Sequence, residues 1–261
     1  MMRAVLATLS IAAATAWAQT AITVPQAGLI RDAANSLRPV YGIAGNFLLG
    51  APVATGAVSA AYSGLYGLIK TDSAIVVIDR AGSMAASIAT SEGPALFAFA
   101  RVGDSALAYL SAADTLLVWD SRAFKTVPFD VTRLAGGAVV AIAAPDSEHA
   151  ALIVQRDDGL WDVRMQLATG EIDAQTAIEG VAVPVLMLAT GELIYSDGNR
   201  LVIRRRDGSE RHVEAQLPTS FEFQQMDQGW VQLRDLTGGP HFAIRITQNR
   251  EQSYQLPEVD Q

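Results

Sequence analysis

The chain has 261 residues, with 27 Asp and Glu against 19 Lys and Arg, and its formal net charge is −8. An acidic chain is poorly suited to coat nucleic acid, because phosphate binding needs clustered lysine and arginine. Cysteine is absent, so the fold cannot depend on disulfides. Only 18% of the residues are charged, which favours strands buried on both faces over long solvated helices.

The first 18 residues predict a secretory signal peptide. Arg3 supplies a positive start, residues 4–14 form an uncharged apolar run, and residues 16–18 (AWA) are a small-x-small cleavage site. The apolar run is shorter than the roughly 20 residues that a membrane span needs. We therefore expect an exported chain, periplasmic or secreted, that starts at Gln19 and is not inserted in a membrane.

The segment of residues 20–54 is compatible with two local structures. Apolar residues in LIRDAANSL recur at helical spacing. Alternatively, GLIRD and LRPVYGI form a β-hairpin that turns through AANS. Pro39 would interrupt a helix, so the hairpin is favoured, with residues 37–43 as a strand. Residues 45–52 are then interpreted as the crossing to the next unit.

Beyond residue 55, strand-like runs repeat with a period of about 40 residues. Turn sequences rich in Gly and Asx recur at Asp72, Asp114, Asp158, Gly198 and Gly238, in steps of 42, 44, 40 and 40 residues. Each turn joins two apolar runs, a further apolar run precedes them, and a more polar run follows. Four antiparallel strands at this period are typical of a β-propeller blade.

The sequence therefore predicts an all-β chain, with a signal peptide over residues 1–18 and a single β-propeller domain over residues 19–261. Six blades of four antiparallel strands are expected, with five or seven blades as open alternatives, and a β-sandwich or barrel as the other architecture. The blades are assigned to residues 56–90, 94–131, 136–178, 181–215 and 219–258, with an incomplete N-terminal blade over residues 20–55.

The run GLIRDAANSLRPVYGIAGNFLLG (residues 28–50), followed by short strand units, resembles the start of uncharacterised exported bacterial β-propeller proteins with irregular WD40- or YVTN-like blades. This resemblance implies a propeller fold and an exported location, and it implies no activity. Trp119-Asp120 weakly resembles the end of a WD repeat. The Gly-His element of such repeats is missing, so their polar network is not carried over.

The sequence contains only weak matches to catalytic or metal-binding motifs. Gly103-Asp104-Ser105 is similar to the nucleophile block of GDS-type esterases, but it lies between two strand-like runs, and no Asp-x-x-His follows near the C-terminus. We interpret it as a turn. His149, His212 and His241 lie in different units without a second ligand at a useful spacing. No Walker A, G-x-S-x-G or H-E-x-x-H pattern occurs, so no catalytic, cofactor-binding or metal-ligating residue is assigned.

Two further features have structural and functional interpretations. The basic stretch RLVIRRRDGSERH (residues 200–212) is expected to be a solvated hairpin, with a local anion or partner site as the alternative. Trp119, Trp161 and Trp230 are expected to pack between blades, with a sugar-stacking platform as the alternative.

The sequence favours an exported, non-catalytic propeller that serves as a protein-binding or scaffolding module. We expect a monomer that has no cofactor and binds a protein of unknown identity. The alternative is a propeller-type hydrolase or lyase with a site at the mouth of the central channel. Convergent charged groups with shifted pKa values in the channel would favour an enzyme, whereas alanine and aliphatic walls would favour a scaffold.

Overall fold

The structure is a computed structural model that describes residues 25–227, 229–247 and 250–258. The expected signal peptide and its cleavage point before Gln19 lie outside the described residues. Within these ranges the chain forms strands joined by tight turns, with one short 3-10 helix at Val131–Leu134. No helix in this part of the chain is long and apolar enough to cross a bilayer.

The strands follow one another as simple meanders, in which neighbours in the sequence pair antiparallel within six separate sheets. In chain order they are β1 (Gln26–Arg31), β2 (Leu37–Ile43), β3 (Asn46–Leu49), β4 (Ser59–Tyr62), β5 (Tyr66–Lys70), β6 (Ala74–Asp79), β7 (Met84–Ala89), β8 (Ala95–Phe99), β9 (Ala106–Leu110), β10 (Thr115–Trp119), β11 (Phe124–Thr126), β12 (Ala138–Ala143), β13 (His149–Arg156), β14 (Gly159–Gln166), β15 (Ile172–Ile178), β16 (Leu186–Met187), β17 (Leu193–Ser196), β18 (Leu201–Arg204), β19 (Glu210–Val213), β20 (Phe221–Asp227), β21 (Trp230–Asp235), β22 (Phe242–Arg245) and β23 (Gln252–Gln255).

The six sheets are the blades of a β-propeller, which confirms the predicted fold class and blade number. The first sheet contains β1–β3, and each later sheet contains the next four strands. The fourth sheet shows why the repeat folds in this way. Its second strand, β13, is buried over five consecutive residues, whereas its outermost strand, β15, is exposed over most of its length. Inner strands pack against both neighbouring blades, and the polar outermost strand meets solvent at the rim.

The hydrophobic core is divided into clusters that lie between consecutive blades. Trp119 is 1% exposed and packs edge-on against Tyr66 of the preceding blade, with ring centroids 4.7 Å apart. Trp230 meets Phe47 of the first blade at 5.6 Å. Both positions agree with the expectation for tryptophan. Trp161 is also packed, partly buried, against the cluster between the third and fourth blades, and its Nε1 donates to an aspartate in the adjacent turn.

The N-terminal segment is a hairpin, so the helical alternative is wrong. β1 pairs with β2 from Arg31 opposite Leu37 back to Gln26 opposite Tyr41. Asp32 organises the turn, because its Oδ1 accepts the backbone N–H groups of the residues two and four positions later. A side-chain carboxylate that bonds nearby backbone amides stabilises this kind of turn.

The interpretation of residues 45–52 as a crossing is also wrong. Residues 46–49 form β3, which pairs antiparallel with β2. Gly42 and Gly45 have φ of +112° and +85°, which lets the chain reverse tightly and return along β2. The sequence shows these glycines but does not distinguish a hairpin from a longer connection.

The first blade differs from the others in its number of strands, because it has three where the other sheets have four. Gly28 of β1 lies beside Met226, and Arg31 pairs with Glu222, so β1 runs antiparallel to β20. The innermost strands β4, β8, β12, β16 and β20 line the central channel. Among the described residues the first blade contributes no innermost strand, and β20 contacts β4 directly.

The ring closes where the first blade packs on the sixth. Gln232 is fully buried in β21, and its amide bonds both backbone groups of Arg31: Oε1 accepts from the Arg31 N–H at 3.0 Å and Nε2 donates to the Arg31 carbonyl at 2.8 Å. Arg234 Nη2 donates to Asn35 Oδ1 at 3.2 Å. At Arg31, the edge of β1 that faces away from β2 is therefore hydrogen-bonded by a side chain of the last blade.

Candidate functional site

The central channel widens into a cavity at each end. The cavity where the innermost strands begin has a volume of about 380 Å³, and we call it the N-terminal mouth. The cavity where they end has a volume of about 440 Å³, and we call it the C-terminal mouth. Gln225 lines both cavities, which places them on one axis.

The N-terminal mouth has apolar walls on most sides and one polar wall. The apolar residues come from five blades and are Ala60, Ala61, Pro94, Ala95, Leu96, Phe97, Val140, Ala141, Ile142, Val183, Pro184, Val185, Leu186 and Phe223. The polar wall is formed by Arg31, Glu222 and Gln224, and the lining also contains the polar residues Ser59, Gln155 and Gln225. Aliphatic walls, which favour a scaffold, and charged groups that converge, which favour an enzyme, therefore both occur at this mouth.

Two guanidinium groups share one carboxylate on the polar wall. Arg31 Nη2 donates to Glu222 Oε1, and Arg234 Nη1 donates to the same oxygen at 3.2 Å. Burial lowers the pKa of Arg31 below its usual value. Attraction to Glu222 raises this pKa, and repulsion by Arg234 lowers it further. Guanidinium groups remain protonated in proteins, so this cluster of three side chains carries a net charge of about +1.

Two buried donors on this wall have no hydrogen-bond partner in the described part of the chain. They are Nε of Arg31 and Nε2 of Gln224, in side chains whose residues are each 5% exposed. Gln224 lies opposite Gln232 in the sheet, on the face of the sixth blade that packs on the first. Buried donors without an acceptor are rare in folded proteins and call for an explanation.

The C-terminal mouth is surrounded by the turns that follow the innermost strands. Leu65 and Val102, in the turns after β4 and β8, are 51% and 70% exposed. The two turns are adjacent, because Ser63 Oγ donates to the Gly103 carbonyl at 3.2 Å. Charged and polar side chains line the cavity beside them, including Arg101, Thr190, Glu192, Arg205, Asp227 and Thr247.

The basic stretch of residues 200–212 is divided between two environments. Arg204 ends β18 and binds Glu210 through Nε at 2.7 Å. Arg205 lines the C-terminal mouth, and its Nη2 lies 2.8 Å from Glu251 Oε1. The first arginine thus belongs to a hairpin, as expected, and the second belongs to the channel mouth.

Gly103-Asp104-Ser105 forms the turn between β8 and β9, as the sequence analysis interpreted it. Gly103 has a φ of +77°, and the Ser105 carbonyl accepts the N–H of Ala100 across the turn. Ser121 Oγ donates to the Asp104 carbonyl at 2.8 Å. These contacts explain the motif as a tight connection in the third blade.

The three histidines lie in three different blades. His149 binds Asp146 at the surface, His212 has Nδ1 3.8 Å from an aspartate oxygen, and His241 precedes β22. Burial lowers the pKa of His241, and nearby Arg234 adds to this effect. Within the described ranges, no group of three or more His, Cys, Asp or Glu is arranged to hold a metal ion.

The pair of His149 and Asp146 gives a pH-dependent prediction. The hydrogen bond between His149 Nδ1 and Asp146, 2.9 Å long, raises the pKa of the imidazole. A raised pKa stabilises the folded state below the unfolded pKa, and this stabilisation is lost as pH rises through the folded pKa. In Asp146→Asn, the His149 pKa measured by NMR titration should fall toward the usual value of about 6.5. An unchanged titration midpoint would contradict the assigned pairing.

Sequence reasoning missed the polar wall of the N-terminal mouth. Arg31 and Glu222 are 191 positions apart, and only ring closure brings them together. A signal was nevertheless present in FEFQQMD (residues 221–227), where polar residues interrupt the apolar first strand of a blade. In a strand expected to line the channel, such residues indicate a polar surface inside it.

No family model matches the sequence, and a search of curated proteins finds no match. Solved structures do match the fold. The chain superposes on a chain of a nidogen/laminin complex with 13% identity and a TM-score of 0.55, covering 87% of this chain and 92% of that one. A protein of unknown function from Bacteroides caccae has 13% identity and a TM-score of 0.53, with 90% and 100% covered. TolB from Acinetobacter baumannii has 13% identity and a TM-score of 0.55, with 88% and 66% covered. These likenesses show the fold alone.

Proposed function

We propose that this chain is an exported, monomeric and non-catalytic β-propeller that binds a protein partner at its C-terminal mouth. The observation that carries the proposal is the pair of exposed apolar side chains, Leu65 and Val102, on adjacent turns beside a cavity. Apolar anchors next to a pocket with a charged border are typical of protein interfaces. The sequence pattern of residues 1–18 supports export.

The charged border favours a protein partner over a purely apolar ligand. Arg205 and Glu251 form an ion pair at this mouth, and Glu192 and Thr190 lie on the same rim. Such groups give orientation and specificity to an interface whose apolar centre supplies most of the affinity. The similar chain of the nidogen/laminin complex is part of a protein assembly, which agrees with this proposal.

Affinity capture with matched variants tests the proposal. The tagged protein, the double variant Leu65→Ser with Val102→Ser, and the control Leu236→Ser are each used to retrieve partners from the periplasm or the medium. Leu236 is also an exposed apolar residue, but it lies in the turn after β21, away from this mouth. We expect the double variant to reduce the retrieved partner about tenfold or more, as loss of interface anchors does, and the control to retain it.

Two results would contradict the proposal. In the first, all three proteins retrieve the same partner in equal amount, which would place the binding surface elsewhere. In the second, no partner is retrieved and the protein turns over compounds in a substrate panel. That second result would favour a propeller-type hydrolase or lyase, for which the ion pair of Arg31 and Glu222 at the N-terminal mouth is the supporting observation.

A further inference from the structure

We propose that the N-terminal mouth is a binding site for an organic acid, whose carboxylate meets Arg31 and Gln224 while its apolar body fills the channel cavity. This site is separate from the protein-binding surface of the C-terminal mouth. It is formed where the first blade closes the ring against the sixth, so it exists only in the assembled propeller.

The polar wall is short of hydrogen-bond acceptors. Arg31 Nε and Gln224 Nε2 are buried and have no partner among the described residues. Both atoms are donors, and their residues line the same cavity. The wall therefore offers donors without acceptors, and a carboxylate supplies acceptors through two oxygens.

The charge of the wall points to an anionic acceptor. Arg31 and Arg234 are both compensated by the single carboxylate of Glu222. A second carboxylate at the wall would bring the local charge close to zero, and charge-assisted hydrogen bonds to guanidinium are stronger than neutral ones. A neutral carbonyl would satisfy the donors but leave the excess positive charge in place.

The apolar walls of the cavity select the chemical character of the rest of the ligand. Alanine and aliphatic side chains surround the cavity, among them Ala95, Ala141 and Val185, and its volume of about 380 Å³ is within the range of small-molecule sites. Burial of a hydrocarbon chain against such walls is favourable in proportion to the area removed from water. The fitting ligand is therefore a carboxylate that bears an aliphatic or small aromatic body.

Two sources supply that chemistry: a free aliphatic acid and the C-terminus of an apolar peptide. The probes are octanoate and an N-acetylated valyl-leucine dipeptide, each compared with its neutral amide, and binding is measured by titration calorimetry on the whole mature protein. We expect at least one acid to bind at a single site and to bind about tenfold or more tightly than its amide. The acid that binds more tightly identifies the source.

Variants separate binding from folding. Arg31 is left unchanged because it also closes the ring. Gln224→Leu keeps a similar side-chain volume and removes one donor, and should weaken binding of the acid about tenfold. Val183→Asp, at an exposed position on the rim, should also weaken acid binding by charge repulsion. Gln166→Leu, a surface glutamine on β14, is the control and should bind as the wild type does.

The proposal is overturned by any one of three results. One is the absence of binding by both acids to the folded wild-type protein. Another is equal affinity for acid and amide, which would show that the charge is not recognised. The last is an unchanged acid affinity in both Gln224→Leu and Val183→Asp, with thermal unfolding midpoints that show both variants to be folded.

Discussion

Replacing Gly28 with alanine should lower the free energy of unfolding by about 2–6 kcal/mol, because backbone strain and overpacking each cost roughly 1–3 kcal/mol and both apply here. A Cβ at this position would lie 2.2 Å from the Met226 carbonyl oxygen, at the contact between the first and last blades. The φ of +145° is also unfavourable for an L-residue. Chemical denaturation of the purified variant measures the change.

Gly159→Ala is the matched control for Gly28→Ala. Gly159 has a similar φ of +129°, but a Cβ there meets nothing within 4 Å. This variant should show the cost of backbone strain alone, roughly 1–3 kcal/mol, and should therefore lose less stability than Gly28→Ala. If the two variants lose the same stability, the first blade does not approach the sixth as closely as the structure shows.

Replacing Gln232 with leucine should lower the free energy of unfolding by about 2–4 kcal/mol. The substitution leaves the Arg31 N–H and carbonyl buried without partners, and each unsatisfied group costs about 1–3 kcal/mol. Because leucine has nearly the volume of glutamine, little of the loss should come from a cavity. Urea unfolding, followed by intrinsic fluorescence, measures the difference from the wild type.

Gln166→Leu provides the comparison for Gln232→Leu. Gln166 is partly exposed, and its side-chain Nε2 donates to Asp173 Oδ1 at the surface. Its replacement should change the stability by no more than about 0.5 kcal/mol, as is usual for surface positions. An equally small change in Gln232→Leu would mean that the first blade is not held by this glutamine.

The sequence was sufficient to predict the repeat, because the interactions that define a blade are local. Turns such as those at Asp114 and Gly198 recur at a constant step, and the apolar strands on either side alternate with polar outer strands. Hairpin pairing depends on residues close in the chain, so period and composition predict it well. The hairpin of β1 and β2 was predicted for the same reason.

Ring closure could not be predicted in this way, because it depends on contacts between the two ends of the fold. Gln232 bonds to a residue 201 positions earlier, and no periodic pattern identifies that partner. The assignment of residues 45–52 as a crossing failed for a related reason. The glycines around Gly45 are compatible with either a connection or a hairpin, and the packing of Phe47 against Trp230 and Tyr254 favours the hairpin that contains β3.

The candidate sites were inaccessible to sequence reasoning because each is assembled from several blades. The polar wall combines the end of β1 with the start of β20, and the apolar pair at the other mouth comes from two turns. Individually, Arg31 and Gln224 look like ordinary polar residues in strands. They are recognised as a candidate binding site only from their burial, from the charge of the cluster, and from their donor atoms that have no acceptor.

Hydrogen exchange of the Arg31 amide tests ring closure most directly. This N–H lies at the edge of β1 that no strand covers among the described residues, and it donates to Gln232 Oε1. We predict that it exchanges as slowly as the amide of Ile153 in β13, a strand paired on both sides, because both should open only on global unfolding. Exchange at the rate of an exposed amide in the native wild-type protein would contradict the closure of the propeller between its first and last blades.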